Sequence, residues 1–158
     1  MEIKTIGWKN NSIKIIDQTK LPGRLKYIYI KDLKSLNRAI KELKVRGAPA
    51  LGAASALGIY LGIRDSRAKN FFKFSKELDK VARYLATSRP TAKNLFWGIE
   101  RVCSVAVKNK NKTIPAIKKL LFKEAQKIIE EDRISCRKMG YYGAKLIKSG
   151  DRILTVCN

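Results

Sequence analysis

Histidine is absent from all 158 residues. That removes the commonest general base and the commonest metal ligand near neutral pH. A Ser-His-Asp triad or a histidine-based zinc site cannot be built from these residues. Acidic side chains are scarce as well, 13 against 35 lysines and arginines. Cysteine occurs three times, at Cys103, Cys136 and Cys157. The count is odd and the spacings match no zinc motif. Met1 to Lys9 lack the basic start and apolar run of a signal peptide, so the thiols are expected to be reduced. Long apolar runs are missing too. The most apolar stretch, Pro49 to Ile63, is too short and too rich in glycine and alanine to span a membrane. We expect a soluble, cytoplasmic protein.

Hydrophobic residues make up 45% of the chain, enough for a packed core. The formal charge is +22, which favours an anionic partner of some kind. Its distribution argues against nucleic acid. The lysines are spread along polar helix faces, as in Lys31 to Lys44 and Lys108 to Lys127, with single acids between them. No compact basic block and no nucleic-acid-binding motif is present.

The order of periodicities predicts an α+β unit, a small antiparallel β-sheet plus a helical bundle. Ser12 to Asp17 and Leu25 to Lys31 read as strands, separated by the turn formers Leu21-Pro22-Gly23. Leu33, Leu36, Ala39, Ile40 and Leu43 then share one helical face, and that helix is expected to stop near Val45. A second helix starts at Pro49 and is built almost wholly of small residues. A third covers about 70 to 86, with Phe71, Phe74, Leu78, Val81 and Leu85 on its inner stripe. A fourth follows Thr91, read as its cap. A fifth runs from Ile114 to Met139 with a continuation to Lys148. Arg152 to Cys157 reads as a buried strand of the parallel type, which needs neighbours reached through crossovers. The expected organisation is a domain over 1–148, with 149–158 as the first strand of a second, truncated one.

Three segments carry candidate chemistry. Val45-Arg46-Gly47-Ala48-Pro49 leads into the small-residue helix. A helix start offers free amide groups and the positive end of a dipole, and Arg46 can pair with phosphate in two-pronged fashion. Taken alone, an arginine–glycine turn is more often only a turn. Ser88-Arg89-Pro90-Thr91 repeats the arrangement ahead of the next helix but one. The two arginines either converge on one anion or are two unrelated solvated side chains. Cys157 ends the last strand, where open parallel sheets bind ligands. It is either a reactive group there or a small buried hydrophobe.

Taken together, these segments resemble the methylthioribose-1-phosphate isomerase family. The resemblance begins at Ile16-Asp17-Gln18-Thr19-Lys20-Leu21-Pro22. It continues through Val45 to Gly52, Ser88 to Trp97, Glu131-Asp132-Arg133, Gly140 to Ala144, and Gly150 to Thr155 with Cys157-Asn158. The wider group includes ribose-1,5-bisphosphate isomerases and regulatory subunits of the initiation-factor exchange complex. Pro49 and the run Asn94-Leu95-Phe96-Trp97 look more like the methylthioribose-phosphate branch.

The resemblance implies an aldose–ketose isomerase of methionine salvage, converting 5-methylthioribose 1-phosphate to methylthioribulose 1-phosphate. It implies substrate contacts from Arg46, Gly47, Ala48 and Arg89 and a catalytic role for Cys157. It implies no metal and no organic cofactor, a homodimer in the full-length form, and an aspartate proton donor. That aspartate is expected in a Rossmann-like domain beyond Asn158, so the chain alone is expected to be an incomplete and inactive fragment. One departure is Val156, where the family has histidine before the cysteine.

Overall fold

The computed structural model describes residues 3–156. Three strands, β1 (Ile6–Lys9), β2 (Ser12–Ile16) and β3 (Tyr27–Ile30), form one antiparallel sheet in the order β1-β2-β3. Five helices follow: α1 (Leu33–Lys41), α2 (Ala48–Ile63), α3 (Phe71–Ala86), α4 (Lys93–Lys108) and α5 (Ile114–Ala144). This is the expected small antiparallel sheet with a helical bundle.

Strand β1 was not among the expected elements. Asn10 and Asn11 both adopt positive φ, 50° and 56°, which makes a tight two-residue hairpin turn. It pairs Trp8 with Ile13 and Ile6 with Ile15. Three side chains then join the sheet to the helices. The rings of Trp8, Tyr60 and Phe122 pack with centroids 4.5 to 5.3 Å apart.

Helix α2 is the hub. Its alanines, glycines, leucines and isoleucines are apolar all round, and such a helix is buried on every side. Leu57 and Ile59 have no exposed surface, and neither does Ser55, whose hydroxyl donates to the Gly52 carbonyl at 3.0 Å. The far end of α2 is tied down by Lys118, whose ammonium donates to the carbonyls of Arg64 and Ser66, both at 2.7 Å. Asn37, nearly fully buried, donates to the Tyr84 carbonyl at 2.8 Å and so joins α1 to the end of α3.

Several expected boundaries moved. Helix α1 ends at Lys41, not near Val45, because Leu43 turns left-handed at φ 58°. The amides of Leu43 and Lys44 close back on Ile40 and Ala39, a paired closure usually built on glycine. Thr91 does not cap α4. The N-cap is Ala92, with no side-chain cap, and backbone turns from Arg89 to Ala92 and from Ala92 to Leu95 lead the chain in. Helix α5 runs unbroken through Gly140 to Ala144.

The strand expected from Arg152 onward is not formed over the described residues. Residues 151–156 have no regular structure. Leu154 and Val156 are 96% and 97% exposed. A strand exists only where a neighbouring ladder accepts its amides and carbonyls, and none of β1, β2 and β3 pairs with this segment. No helix among the described residues is long and apolar enough to cross a membrane.

Candidate functional site

The first element of the site is the bend between α1 and α2. Val45 is buried and anchors it. The Gln18 amide donates to the Lys44 carbonyl at 3.2 Å, tying the bend to the turn after β2. That turn is held in its place by Asp17, whose carboxylate accepts from the Thr19 hydroxyl at 2.6 Å and from the Thr19 amide at 3.1 Å. The hydroxyl bond is the main reason that the Asp17 carboxyl stays below its ordinary range. Arg46 is half-buried beside Gln18 and Lys44.

Gly47 is the N-cap of α2 at φ 89°, and a side chain there would meet no atom within 4 Å. Glycine is therefore needed for the backbone angle, not for space. The Leu51 amide is bonded to the Gly47 carbonyl, which leaves the amides ahead of it free to face a ligand.

The second element is the bend between α3 and α4. Ser88 is buried, and its hydroxyl donates to the Leu85 carbonyl at 2.6 Å. Arg89 follows it, half-buried. Among the described residues neither Arg46 nor Arg89 makes a side-chain hydrogen bond or ion pair. Two guanidinium groups that are partly desolvated and carry no counter-charge suit an anion.

Helices α2 and α4 pack against each other near the ends at which they start. A Cβ at Gly98 would lie 2.4 Å from both the Gly52 carbonyl oxygen and the Ser55 hydroxyl. A Cβ at Gly52 would lie 3.2 Å from the Asn94 carbonyl and 3.3 Å from the Trp97 ring. The early turns of both helices are thus in backbone contact. Sequence reasoning named both arginines but missed this junction. The signal was present in the small residues of α2, facing a lone glycine in α4.

Beside the α2 start lies an open groove of about 720 Å³, lined by Trp8, Pro49, Ala53, Ile129, Asp132 and Cys136 among others. Arg101 of α4 turns toward α5. Its guanidinium donates to Glu131 at 2.6 and 3.0 Å and to Glu124 at 2.7 Å, and lies 5.3 Å from the Trp97 ring centroid. These bonds raise the Arg101 pKa and hold the Glu131 carboxyl low.

Cys157, expected to be catalytic, lies outside the described residues. The other two cysteines differ sharply. Cys103 is partly buried on α4, and burial, aided by the Asp79 charge, pushes its thiol up to about 11. Cys136 is exposed at the groove. With iodoacetamide at pH 8, Cys136 is expected to be alkylated at least ~10-fold faster than Cys103, because the thiolate is the nucleophile. Site-resolved mass spectrometry reads this, and equal rates would refute the burial of Cys103. No group of three or more carboxylates or thiols with metal-site geometry occurs among the described residues.

The chain is 46% identical to 5-deoxyribose 1-phosphate isomerase of Moorella thermoacetica over 99% of its length, covering 44% of that protein. It is 45% identical to methylthioribose-1-phosphate isomerase of Geotalea daltonii over its whole length, covering 46% of that protein. It therefore spans less than half the length of the curated relatives it matches. Among solved structures, 5-methylthioribose 1-phosphate isomerase of Pyrococcus horikoshii superposes with a TM-score of 0.88 at 36% identity, over 93% of this chain and 41% of that one. The translation initiation factor eIF-2B subunit delta from A. fulgidus superposes with a TM-score of 0.85 at 45% identity, over 95% of this chain and 43% of that one. The profile of the Initiation factor 2 subunit family matches residues 44–158, a span that opens just ahead of Arg46 and includes Arg89 and the α2–α4 junction, and the chain belongs to that family.

Proposed function

We propose that the protein serves an aldose–ketose isomerase of methionine salvage, acting on 5-methylthioribose 1-phosphate. The observation that carries the reading is the pair of unpaired, half-buried arginines at the starts of two helices in backbone contact. Identity of 45–46% to named sugar 1-phosphate isomerases over essentially the whole chain supports it. Both relatives are named for sugars that lack the ordinary hydroxyl on C5.

The substrate poses a specific problem. Phosphate on the anomeric oxygen prevents the ring from opening as a free hemiacetal does. The ring oxygen must be protonated, and a hydrogen must pass from C2 to C1. Arg46 and Arg89 hold the phosphate in this reading, with the free amides around Gly47 and Ala48 completing its shell. Cys157 assists at the reacting carbons. Binding is the direct test of these residues.

Calorimetric titration with 5-methylthioribose 1-phosphate is expected to give binding that Arg46→Ala weakens about 10–100-fold, the cost of ~1.5–3 kcal/mol for losing a charge-assisted pair. Unchanged affinity in the variant, or no binding by the parent protein, would overturn the reading. A second reading is a non-enzymatic subunit of a translation-factor assembly. It is favoured by the likeness to the A. fulgidus eIF-2B subunit delta. It predicts no affinity for the sugar phosphate and indifference to Arg46→Ala.

A further inference from the structure

The +22 charge is spread along the chain, yet the fold gathers part of it at one place. Gly58 of α2 lies against Leu85 of α3, and Gly62 against Val81, so these two helices run antiparallel. Helices α2 and α4 end, and α3 and α5 start, at the end of the bundle away from the arginine bends. The segments Arg64 to Lys76 and Lys108 to Lys123 meet there. Lys118 ties them together through its two bonds of 2.7 Å to the Arg64 and Ser66 carbonyls. The Arg64 guanidinium donates in turn to the Asn11 carbonyl at 2.7 Å and the Lys31 carbonyl at 3.1 Å. That adds the hairpin turn after Lys9 and the end of β3 to the same surface.

The charge at this end is lopsided. The two segments hold eleven lysines and arginines and one acid, Asp65, which is taken up by Arg64. The remainder of the chain holds 24 against 12. Lys69, Lys73, Lys76, Lys108, Lys110 and Lys112 are all exposed. Like charges held on one surface repel, and a polyanion relieves the repulsion. The groove beside the α2 start does not extend here, so the lysines front an open surface. Such a surface suits a chain of phosphates better than one small anion.

One aromatic ring stands among the cations. Phe72, 67% exposed, lies between Lys69 and Lys73 in the chain, and the Lys76 ammonium sits 4.2 Å from its ring centroid. An exposed ring beside phosphate-pairing cations is an arrangement on which an unpaired base stacks. Phe72 is the one large apolar residue left exposed in the two segments, too little to insert into a lipid surface.

We propose that this end of the bundle is a second binding surface, for the phosphate backbone of single-stranded nucleic acid, with Phe72 as its stacking residue. The surface is independent of the sugar-phosphate reading. No run of adjacent lysines marks it in the sequence, because most of α3 and α4 separates its two halves.

The test follows the anisotropy of a fluorescein-labelled oligouridylate of about 15 nucleotides, near the upper site size of one small domain, on the full chain. Neutralising about four phosphates predicts an affinity that falls about 50-fold between about 50 and 200 mM salt. Lys110→Glu with Lys112→Glu is expected to weaken binding at least ~10-fold. Lys20→Glu with Lys41→Glu makes the same change of charge at exposed positions near the α1–α2 bend and is expected to cost less than ~3-fold. Phe72→Ala, whose side chain lies outside the core, is expected to weaken the single strand about 5-fold or more. It should leave a duplex of the same length unchanged, since paired bases offer no free face.

No binding at about 50 mM salt would overturn the proposal. So would equal losses from the two lysine pairs, which would mean attraction by net charge alone. Tighter capture by phosphatidylserine vesicles than by the oligonucleotide would replace it with a membrane surface. An equal effect of Phe72→Ala on strand and duplex would sink the single-strand preference and the stacking role together.

Discussion

Gly98→Ala is expected to lower the stability of the fold by about 2–3 kcal/mol, as overpacking of a tight interface does. The helix propensity of alanine opposes this by only about 1 kcal/mol. The clash wins because of what the new methyl group meets. It would lie 2.4 Å from the Gly52 carbonyl oxygen, a backbone atom that cannot rotate away, and equally close to the buried Ser55 hydroxyl. Helices α2 and α4 must separate, and the bends bearing Arg46 and Arg89 separate with them. Sugar-phosphate binding should therefore fall together with stability. Urea unfolding measures the first effect as a lower midpoint at unchanged slope. Gly140→Ala is the control. It sits in α5 with nothing within 4 Å of the added Cβ and should gain about 0.5–1 kcal/mol. Equal behaviour of the two variants would disprove the α2–α4 contact.

The second large effect belongs to Phe74. Its side chain has no exposed surface, and Phe74→Ala is expected to cost about 3–5 kcal/mol through lost burial and the cavity left behind. Two positions earlier, Phe72 is 67% exposed and carries only the Lys76 ammonium 4.2 Å from its ring centroid. Phe72→Ala should cost less than about 1 kcal/mol. Thermal melts of the two variants, recorded side by side, read the contrast. Similar losses would mean that α3 presents a different face to the core.

That contrast was legible in advance. Phe71, Phe74, Leu78, Val81 and Leu85 recur at helical spacing, and the structure buries Phe74, Leu78 and Leu85 completely or nearly so. The same holds for Leu95, Ile99, Val102 and Ala106 of α4, all buried. The uniform small-residue run of α2 announced a helix enclosed on all sides. Arg46, Gly47 and Arg89 could be named because each sits in a short bend whose neighbours set its local geometry.

Other features were not legible. Strand β1 was missed although Ile6 and Trp8 alternate with Gly7 and Lys9, because its hairpin depends on two asparagines adopting positive φ. The end of α1 at a left-handed Leu43 breaks the glycine rule for such closures, so no residue type marked it. The segment after Ser149 reads as a strand by composition. Composition gives a strand its faces but not its neighbour, and over residues 151–156 no neighbour is present.

Local interactions, which act over a turn or two of chain, are written into consecutive residues. Hence the sequence by itself determined the helical faces, the α+β class, the absence of histidine chemistry and the two arginine-bearing bends. Tertiary structure alone decided that Gly52 and Gly98 touch, that Trp97 lies on α2 under Arg101, and that the two bends share one end of the bundle. Those contacts join residues some 45 apart, and they form only where the packing of the whole core brings the two backbones to the same place.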